Sequence, residues 1–273
     1  MIRRLIVSAD DLGLHEAINR GVLTAHEEGI VTSASIVACG RAFDHACRLV
    51  EKRRKLDLGI HLTLIEEKPL LGPDQLKTLA PGRVLPKSYR QLFAGLLKGR
   101  IDPEEVEMEL DAQIQRVLQA GLPVSHLDSH QHTHFLPQLR RVFFRLAEYY
   151  QIAGVRAGGR VVPARTKFSL FLAPLAKSLQ RAARARGLRT PDALWLPSPS
   201  GRIHGLDLVK GIPKLPEGVS ELVVHPGEDQ AVLEREYPAW GFNWRQELAA
   251  VMATDVRDTL TRHNVQLARY SEL

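Results

Sequence analysis

Short apolar segments of strand length alternate with amphipathic helical segments along the whole chain, and no break in composition separates them. Strands are predicted at residues 4–8, 33–39, 57–64, 124–128, 154–157, 221–225 and 265–269, and helices at about 15–28, 43–55, 102–121, 137–150 and 244–262. Such alternation favours a parallel sheet covered by helices, and barrels of this kind take about 250 residues. The 273-residue chain therefore predicts one (β/α) barrel over residues 1–273, closed or nearly closed.

The helix at 102–121 carries the clearest end signals in the sequence. Asp102 is predicted to cap it, Pro103 to take its first position, Glu105 to complete a capping box and Gly121 to end it. Residues 65–87 hold several prolines and glycines and are expected to form a long loop at the rim of an active site.

Polar residues of the kind that bind metals stand at the ends of three predicted strands. Asp10 and Asp11 follow the first strand, and His61 lies in the third. A histidine-rich run at 126–134 (HLDSHQHTH) follows the fourth. Because the carboxyl ends of parallel strands meet at one end of a barrel, these side chains are expected to lie together. One carboxylate and two imidazoles form a common catalytic metal set.

Each of these motifs has a simpler interpretation when it is taken alone. Asp10 and Asp11 could cap the next helix, His61 could be a structural histidine, and the histidine run could be a surface turn. Four histidines in nine residues are improbable by composition, and three such motifs share equivalent strand ends. The combination therefore favours a metal site.

Two further residues have both a functional and a structural interpretation. His225 is another strand-end histidine, although it could equally be a loop residue before Pro226. Asp128 could orient a ligand histidine through a hydrogen bond, or it could be an exposed aspartate at the strand end.

Three segments together resemble the signatures of the YdjC/ChbG-like carbohydrate deacetylase family: SADDLG at 8–13, GIHLTL at 59–64 and HLDSHQHTH at 126–134. The resemblance runs from residue 2 to about 157 and resumes at about 223–227. It implies a (β/α) barrel of the glycoside hydrolase/deacetylase type, distorted or incomplete in places. It also implies removal of N-acetyl groups from amino sugars with one divalent metal ion.

Carried over by motif, the resemblance implies metal ligands at Asp11, His61 and His130. It further implies Asp10 as the general base and His225 as the general acid. Three further residues of the histidine run, Asp128, His126 and His132, are expected to contact the substrate or to support the ligands. Two imidazoles favour Zn²⁺, Mg²⁺ prefers oxygen ligands, and the resemblance permits either metal.

The formal net charge of +6 comes from one part of the chain. Nine Lys or Arg and no Asp or Glu lie between Tyr149 and Pro191, which leaves 28 basic and 31 acidic residues elsewhere. This stretch contains a basic helical insertion at about 158–191 that does not visibly match the family.

Lys177, Arg181 and Arg184 of this insertion oppose an apolar helical face that follows Pro174. The segment is either a surface helix docked on the barrel with a solvated basic face, or a lid or surface helix that contacts anionic lipid headgroups, with FSLFL at 168–172 as the apolar insertion.

The substrate and the partners stay open at this point. The chain resembles a longer, hopanoid-biosynthesis-associated branch of the family, which implies an N-acetylglucosaminyl lipid, and a soluble chito-oligosaccharide is the alternative. Trp195, Trp240 and Trp244 could stack on sugar rings or pack in the core. A homodimer is a further hypothesis.

Two other functional classes compete with a deacetylase. A metal-dependent phosphoesterase could use the basic segment as an anion site. A non-enzymatic barrel could bind RNA or an anionic membrane there, although the chain carries no nucleic-acid recognition motif, so no nucleic-acid partner is expected.

The sequence predicts a cytoplasmic protein, at most peripheral to the inner membrane face. The N-terminus does not read as a signal peptide, and no uncharged apolar run reaches about 18 residues. Cys39 and Cys47 lack metal-type spacing and are expected to be reduced.

Overall fold

The computed structural model describes residues 2–53, 55–163, 167–198 and 201–273, with the backbone alone at 167 and 168. The strands are β1 Arg3–Leu12, β2 Ser33–Ile36, β3 Asp57–Leu62, β4 Val124–Ser129, β5 Gly154–Val155, β6 Arg160–Val162, β7 Ala193–Trp195, β8 Gly218–Val224 and β9 Val265–Ala268. The helices are α1 Glu16–Glu27, α2 Phe43–Val50, α3 Tyr89–Leu97, α4 Pro103–Gln119, α5 Pro137–Tyr149, α6 Lys167–Arg184, α7 Gly205–Gly211, α8 Gln230–Glu236, α9 Trp244–Met252 and α10 Thr254–Arg262.

One parallel sheet of the order β5-β4-β3-β2-β1-β8-β7-β6 forms the centre of the molecule, and β9 pairs with the start of β1. The contacts of Arg156 show that the sheet curls strongly. This residue lies just after the edge strand β5, and its side chain reaches Asp10 on β1 and Glu221 on β8. Arg189, which lies between α6 and β7, exchanges backbone hydrogen bonds with Ala153 and Val155 and so links the chain before β7 to β5. The predicted (β/α) barrel is confirmed, in an incompletely closed form.

The core consists of the apolar side chains that lie between this sheet and the surrounding helices. β1 is buried along all but its first two residues, as expected for a central strand covered on both faces. Among the described residues, no helix combines the length and the apolar character that crossing a bilayer would require.

Several element boundaries differ from the sequence prediction. The helix predicted at 244–262 is two helices that meet at Ala253, and the helix predicted to start near 43 ends at Val50. The helix of the basic insertion begins at residue 167 and contains Pro174 instead of following it. Strands β6 and β7 and helices α3, α7 and α8 were not predicted.

The N-terminal turn of α4 corrects the prediction of a capping box. Asp102 caps the helix and accepts a hydrogen bond from the backbone N–H of Glu104. Glu105 instead turns inward, where its Oε2 accepts from the backbone N–H groups of Thr78 and Leu79 at 2.8 Å. The residue that was predicted to close the cap therefore anchors the long loop after β3.

The same face of α4 holds that loop at two further points, one and two helical turns on. Glu109 accepts hydrogen bonds from the backbone N–H groups of Leu70 and Leu71, each at 3.0 Å. Gln113 accepts from the Thr63 N–H at 2.9 Å and donates to the Thr63 carbonyl at 2.7 Å. Because residues four apart share one face of a helix, this polar stripe fixes the loop at 65–87 against the barrel.

Candidate metal and catalytic centre

The end of β1 brings two consecutive aspartates to the same side of the sheet. In a regular strand, successive side chains point to opposite faces. Here the pairing of β1 with β2 shifts between Ala9 and Leu12, and Asp11 takes a left-handed backbone conformation with φ of 68°. Asp10 and Asp11 therefore both line the cavity at the carboxyl ends of the strands.

Asp11, His61 and His130 form a tight buried cluster at the floor of this cavity. Asp11 Oδ1 lies 3.5 Å from His61 Nε2 and 3.2 Å from His130 Nδ1, and the two ring nitrogens are 3.4 Å apart. No solvent reaches Asp11 Oδ1, and it accepts no hydrogen bond of good geometry from any described residue. One carboxylate and two imidazoles that converge in this way fit a divalent metal ion.

The ring of His61 is held in the orientation that a metal ligand needs. Its Nδ1 lies 2.8 Å from Asp128 Oδ1 and 3.2 Å from the hydroxyl of Ser35. An Nδ1–H that donates to Asp128 leaves the Nε2 lone pair free to face Asp11. Carboxylates that orient ligand histidines in this way are a regular feature of metal sites.

The group Asp10, His61 and Asp128 is also compact enough to suggest a cation site. However, the guanidinium of Arg156 already lies 2.7 Å from a carboxylate oxygen of both Asp10 and Asp128. The positive charge of this guanidinium would repel a metal ion bound there. The Asp11 cluster is therefore the better candidate.

Glu66 supports the other histidine of the cluster. Its Oε2 lies 3.2 Å from His130 Nε2, on the side of the ring away from Asp11. Glu66 adopts a φ of 67° at the start of the long loop, and its backbone N–H donates to the Pro86 carbonyl near the loop's end. The loop therefore delivers a carboxylate into the site.

The charges of the cluster depend on one another. Burial alone would raise the pKa of Asp11, but the close contact with His130 and the charge of that ring lower it to about 2. Burial alone would lower the pKa of His130, yet its bonds to Asp11 and Glu66 raise it to about 10. The site thus attracts positive charge, as a metal site must.

Asp10 is an ionised carboxylate in a fixed orientation. Two nitrogens of Arg156 donate to its two oxygens, each at 2.7 Å, and the Ser35 hydroxyl donates to Oδ1 at 3.2 Å. Burial alone would raise the pKa of Asp10, but the charge of Arg156 outweighs it and lowers the pKa.

His225 follows β8, the strand beside β1, and it also lines the cavity, with a carboxylate behind it. Its Nδ1 is 3.5 Å from Glu247 Oε2, and its backbone N–H donates to the same oxygen at 2.6 Å. Burial alone would lower the pKa of His225, but its interaction with Glu247 raises it. His225 is therefore biased towards the imidazolium form.

These residues surround a cavity of about 330 Å³ that is open to solvent on one side. The lining also includes Glu66, Tyr89, Gln131, His132, Ala239, Trp240 and Phe242. The ring of Trp240 lies 5.2 Å from that of His130, whereas Trp195 and Trp244 are buried in the core. Of the three tryptophans, Trp240 alone has the position of a sugar-stacking residue.

The cavity brings together most of the residues that the sequence singled out. Asp10, Asp11, His61, His130 and His225 line it directly. Two others also belong to this region, since Asp128 lies behind His61 and His132 is part of the wall.

His126 lies apart from the cavity. Its ring stacks on Tyr270 with centroids 3.8 Å apart, and its Nδ1 is 2.9 Å from the Ser125 hydroxyl. This places His126 in the packed interior of the barrel, outside the cluster of Asp11, His61 and His130.

Sequence reasoning missed three residues of the centre: Arg156, Glu66 and Glu247. Arg156 was counted only as one cation of the basic stretch, although its strand-end position after β5 matched that of the other site residues. Glu66 and Glu247 carry no local signal, because a loop and a helix deliver them from a distance.

Comparison with known proteins gives the family. A family model described as YdjC-like protein matches residues 4–262. The chain belongs to this family. A relative from Brevibacillus brevis (strain 47), named carbohydrate deacetylase, is 30% identical over 277 residues and is covered to 99%, as is this chain. Another of that name, from Halalkalibacterium halodurans, is 41% identical over 163 residues, covering 59% of this chain and 66% of its own.

This YdjC-like protein has the same fold as a protein of known structure. The neighbour is a protein from Enterococcus faecalis V583 described as a cellobiose-phosphate cleavage protein, with a TM-score of 0.81 and 23% identity. The match covers 100% of this chain and 99% of that one. The predicted family and the predicted barrel class are both confirmed.

Proposed function

We propose that this protein is a metal-dependent hydrolase that removes the acetyl group from an N-acetylated amino sugar. The observation that carries the proposal is the buried cluster of Asp11, His61 and His130, flanked in one cavity by a fixed carboxylate and a histidine. Curated relatives named carbohydrate deacetylase support it.

Asp10 is the proposed general base. The Asp10 carboxylate stays ionised because Arg156 lowers its pKa. Two hydrogen bonds donated by Arg156 also fix the orientation of this carboxylate. A carboxylate held in this way can take the proton of a water that attacks the acetamide carbonyl.

His225 is the proposed general acid. Its raised pKa keeps a proton available, and that proton can pass to the nitrogen of the departing amine as the C–N bond breaks. Glu247 acts through His225, because it orients the ring and stabilises its positive charge.

The metal ion would be held by Asp11, His61 and His130, with Asp128 and Glu66 behind the two rings. When bound, a divalent ion supplies polarisation of the carbonyl and a lower pKa for the attacking water. The two imidazoles favour Zn²⁺, and Mg²⁺ is the alternative.

The proposed substrate carries its acetamido sugar at the end of a lipid, and a soluble chito-oligosaccharide is the alternative. The outward face of α6, with the exposed apolar residues Leu170 and Phe171 beside exposed cations, supports the lipid form. Trp240 at the cavity wall supports a sugar in either case, since an aromatic face can stack on a pyranose ring. We place the protein in the cytoplasm, at the inner membrane face, which suits the free thiols of Cys39 and Cys47.

The decisive experiment measures acetate release from chitobiose and from an N-acetylglucosaminyl lipid by protein loaded with Zn²⁺ or Mg²⁺. Activity is expected with metal, and a chelator should abolish it. His61→Ala and His130→Ala should lose both metal binding and activity while the fold persists. His126→Ala is the matched control, because it removes a buried histidine outside the cluster.

Two results would contradict the proposal. Full activity of His61→Ala or His130→Ala would remove the proposed ligand set. Hydrolysis of phosphate esters without any acetate release would assign the site to a phosphoesterase instead.

A further inference from the structure

The outward face of α6 combines two large apolar side chains with a row of cations. Leu170 and Phe171 are 59% and 67% exposed. About two and three turns beyond Leu170, Lys177 and Arg181 are exposed on the same side of the helix, and no described residue forms an ion pair with either. The side chain of Phe168, which the sequence analysis grouped with this apolar segment, lies outside the described residues.

The opposite face of α6 explains how the helix is attached. It is buried against the barrel through small and aliphatic residues, namely Leu172, Ala176, Leu179 and Ala183. The helix is therefore docked on the barrel, and its outward side is not needed for that docking. The exposed parts of Leu170 and Phe171 therefore contribute nothing to the stability of the isolated chain, and a binding partner could bury them.

A shallow groove lies between α5 and α6, with a volume of about 570 Å³. Arg140 of α5 and Lys177 and Arg181 of α6 line it, and its lining contains no acidic residue. Arg140 donates to the Ser178 hydroxyl at 3.0 Å, which holds its guanidinium at the groove. Arg184, further along α6, is instead paired with Asp192 at 2.8 Å.

We propose that this face of α6, together with the groove beside α5, binds the surface of a membrane that contains anionic lipids. The phosphate groups of the lipids would occupy the groove between Arg140, Lys177 and Arg181. Leu170 and Phe171 would enter the boundary between headgroups and acyl chains. Basic residues beside exposed apolar ones are the pattern of interfacial helices.

The arrangement along the helix favours a membrane over a nucleic acid or a free anion. At 1.5 Å per residue, Lys177 and Arg181 lie about 10 and 16 Å along the axis from Leu170. The apolar pair thus forms one end of the face and the cations form the rest. A nucleic acid or an inorganic phosphate would use the cations but would give the apolar pair no role.

The apolar end of α6 lies at the same end of the barrel as the metal cluster. In a strand–helix unit of a parallel barrel, the helix begins near the carboxyl end of its strand, which is where the cavity opens. Helix α6 follows β6 and also packs against the turn at His130–Phe135. Membrane contact would therefore bring the cavity to the lipid surface, and the consequence that the substrate is lipid-linked rests on the proposed function.

The test uses the full-length protein and vesicles. Sedimentation with phosphatidylglycerol/phosphatidylcholine vesicles should show binding that weakens as salt rises, and vesicles of phosphatidylcholine alone should bind far less. Replacing Arg140, Lys177 and Arg181 by Gln should weaken binding about 100-fold, at about fivefold for each cation.

A matched control removes the same charge elsewhere. Arg235, Arg245 and Arg262 are exposed on α8, α9 and α10 and have no ion-pair partner among the described residues. Their triple replacement by Gln should change vesicle binding less than twofold. Equal losses in the two triple variants would overturn the proposal, because net charge alone would then explain the binding.

The apolar pair provides the second arm. Leu170→Ser combined with Phe171→Ser keeps every charge, and it should abolish the binding that remains at high salt. Unchanged binding in that variant, or displacement by inorganic phosphate alone, would assign the groove to a soluble anion. Binding of single-stranded RNA through the same cations, without vesicle binding, would also overturn the proposal.

Hydrolysis separates this inference from the proposed function. Both the triple Gln variant and the Ser pair should release acetate from chitobiose at the wild-type rate, because none of their substituted residues lines the cavity. Loss of vesicle binding with full chitobiose activity supports the docking surface. If neither the wild-type protein nor any variant releases acetate while the wild type binds vesicles normally, the proposed deacetylase function is contradicted and the proposed docking surface still stands.

Discussion

At the scale of single residues, the protonation of His225 depends on a carboxylate behind it. The interaction with Glu247 raises the pKa of His225 above the ordinary histidine value, against the effect of burial. If the imidazolium is the general acid, activity falls as pH rises through this pKa. Glu247→Gln removes the charge and should move the basic limb of the pH profile of kcat/KM to lower pH.

Asp10→Asn is the control for this prediction. It should lower kcat across the whole pH range, because Asp10 acts on the water, and it should move the basic limb less than Glu247→Gln does, because Asp10 contributes less than Glu247 to the raised pKa of His225. A Glu247→Gln enzyme whose basic limb stays in place would contradict the role of Glu247. Thermal unfolding of both variants checks that the fold persists.

The ligand-type residues of the site were predictable from the sequence, whereas their supports were not. Asp11, His61 and His130 stand at strand ends, and a parallel barrel brings strand ends together whatever the details of packing. Glu66 reaches His130 only because the loop at 65–87 is closed by hydrogen bonds between distant residues. No local pattern encodes such a closure.

At the scale of elements, α4 determines where that loop lies. Glu109 is buried, and its two oxygens accept from the Leu70 and Leu71 N–H groups and from the Gln113 amide. Glu109→Ala leaves these donors without their partner and should lower the free energy of unfolding by about 2 kcal/mol. Hydrogen exchange of the amides at 65–87 should also become faster.

The control for α4 is Gln115→Ala. Gln115 is exposed on the same helix, where its amide donates to Asp111 at 2.7 Å and lies beside Tyr150, so its replacement should change stability by less than about 0.5 kcal/mol. Denaturant unfolding of the two variants compares them. Unchanged exchange at 65–87 in Glu109→Ala would show that the loop does not depend on α4.

Elements with a strong local pattern were predicted well, and elements defined by tertiary contacts were not. α4 has a cap, an N-terminal proline and an apolar stripe, and its bounds agree with the prediction. β6 and β7 have only three residues each, which is too short for any periodicity. The inward turn of Glu105 was missed because a capping box and a loop anchor use the same residue type.

At the scale of the whole molecule, buried charge ties the strands together. Arg156 is fully buried and contacts Asp10, Asp128 and Glu221, which lie on β1, β4 and β8. β1 and β8 are neighbours in the sheet, whereas β4 is three strands away from β1, so the guanidinium joins opposite walls of the curled sheet. The fold class was predictable from alternation alone, but this internal network was not, because it forms only when the sheet curls.

Arg156 does not balance all of the buried negative charge, and this predicts how the molecule responds to metal. Asp11 belongs to a separate cluster, in which the imidazoles of His61 and His130 face its carboxylate. A divalent ion that binds this cluster binds the folded state alone and stabilises it by about 2.7 kcal/mol at a concentration 100 times its Kd. For a chain of this size, the unfolding temperature should rise by about 5–10 °C. Calorimetry with metal and with a chelator measures the rise, which His61→Ala should lose and His126→Ala should keep. A rise that persists in His61→Ala would place the metal elsewhere in the protein.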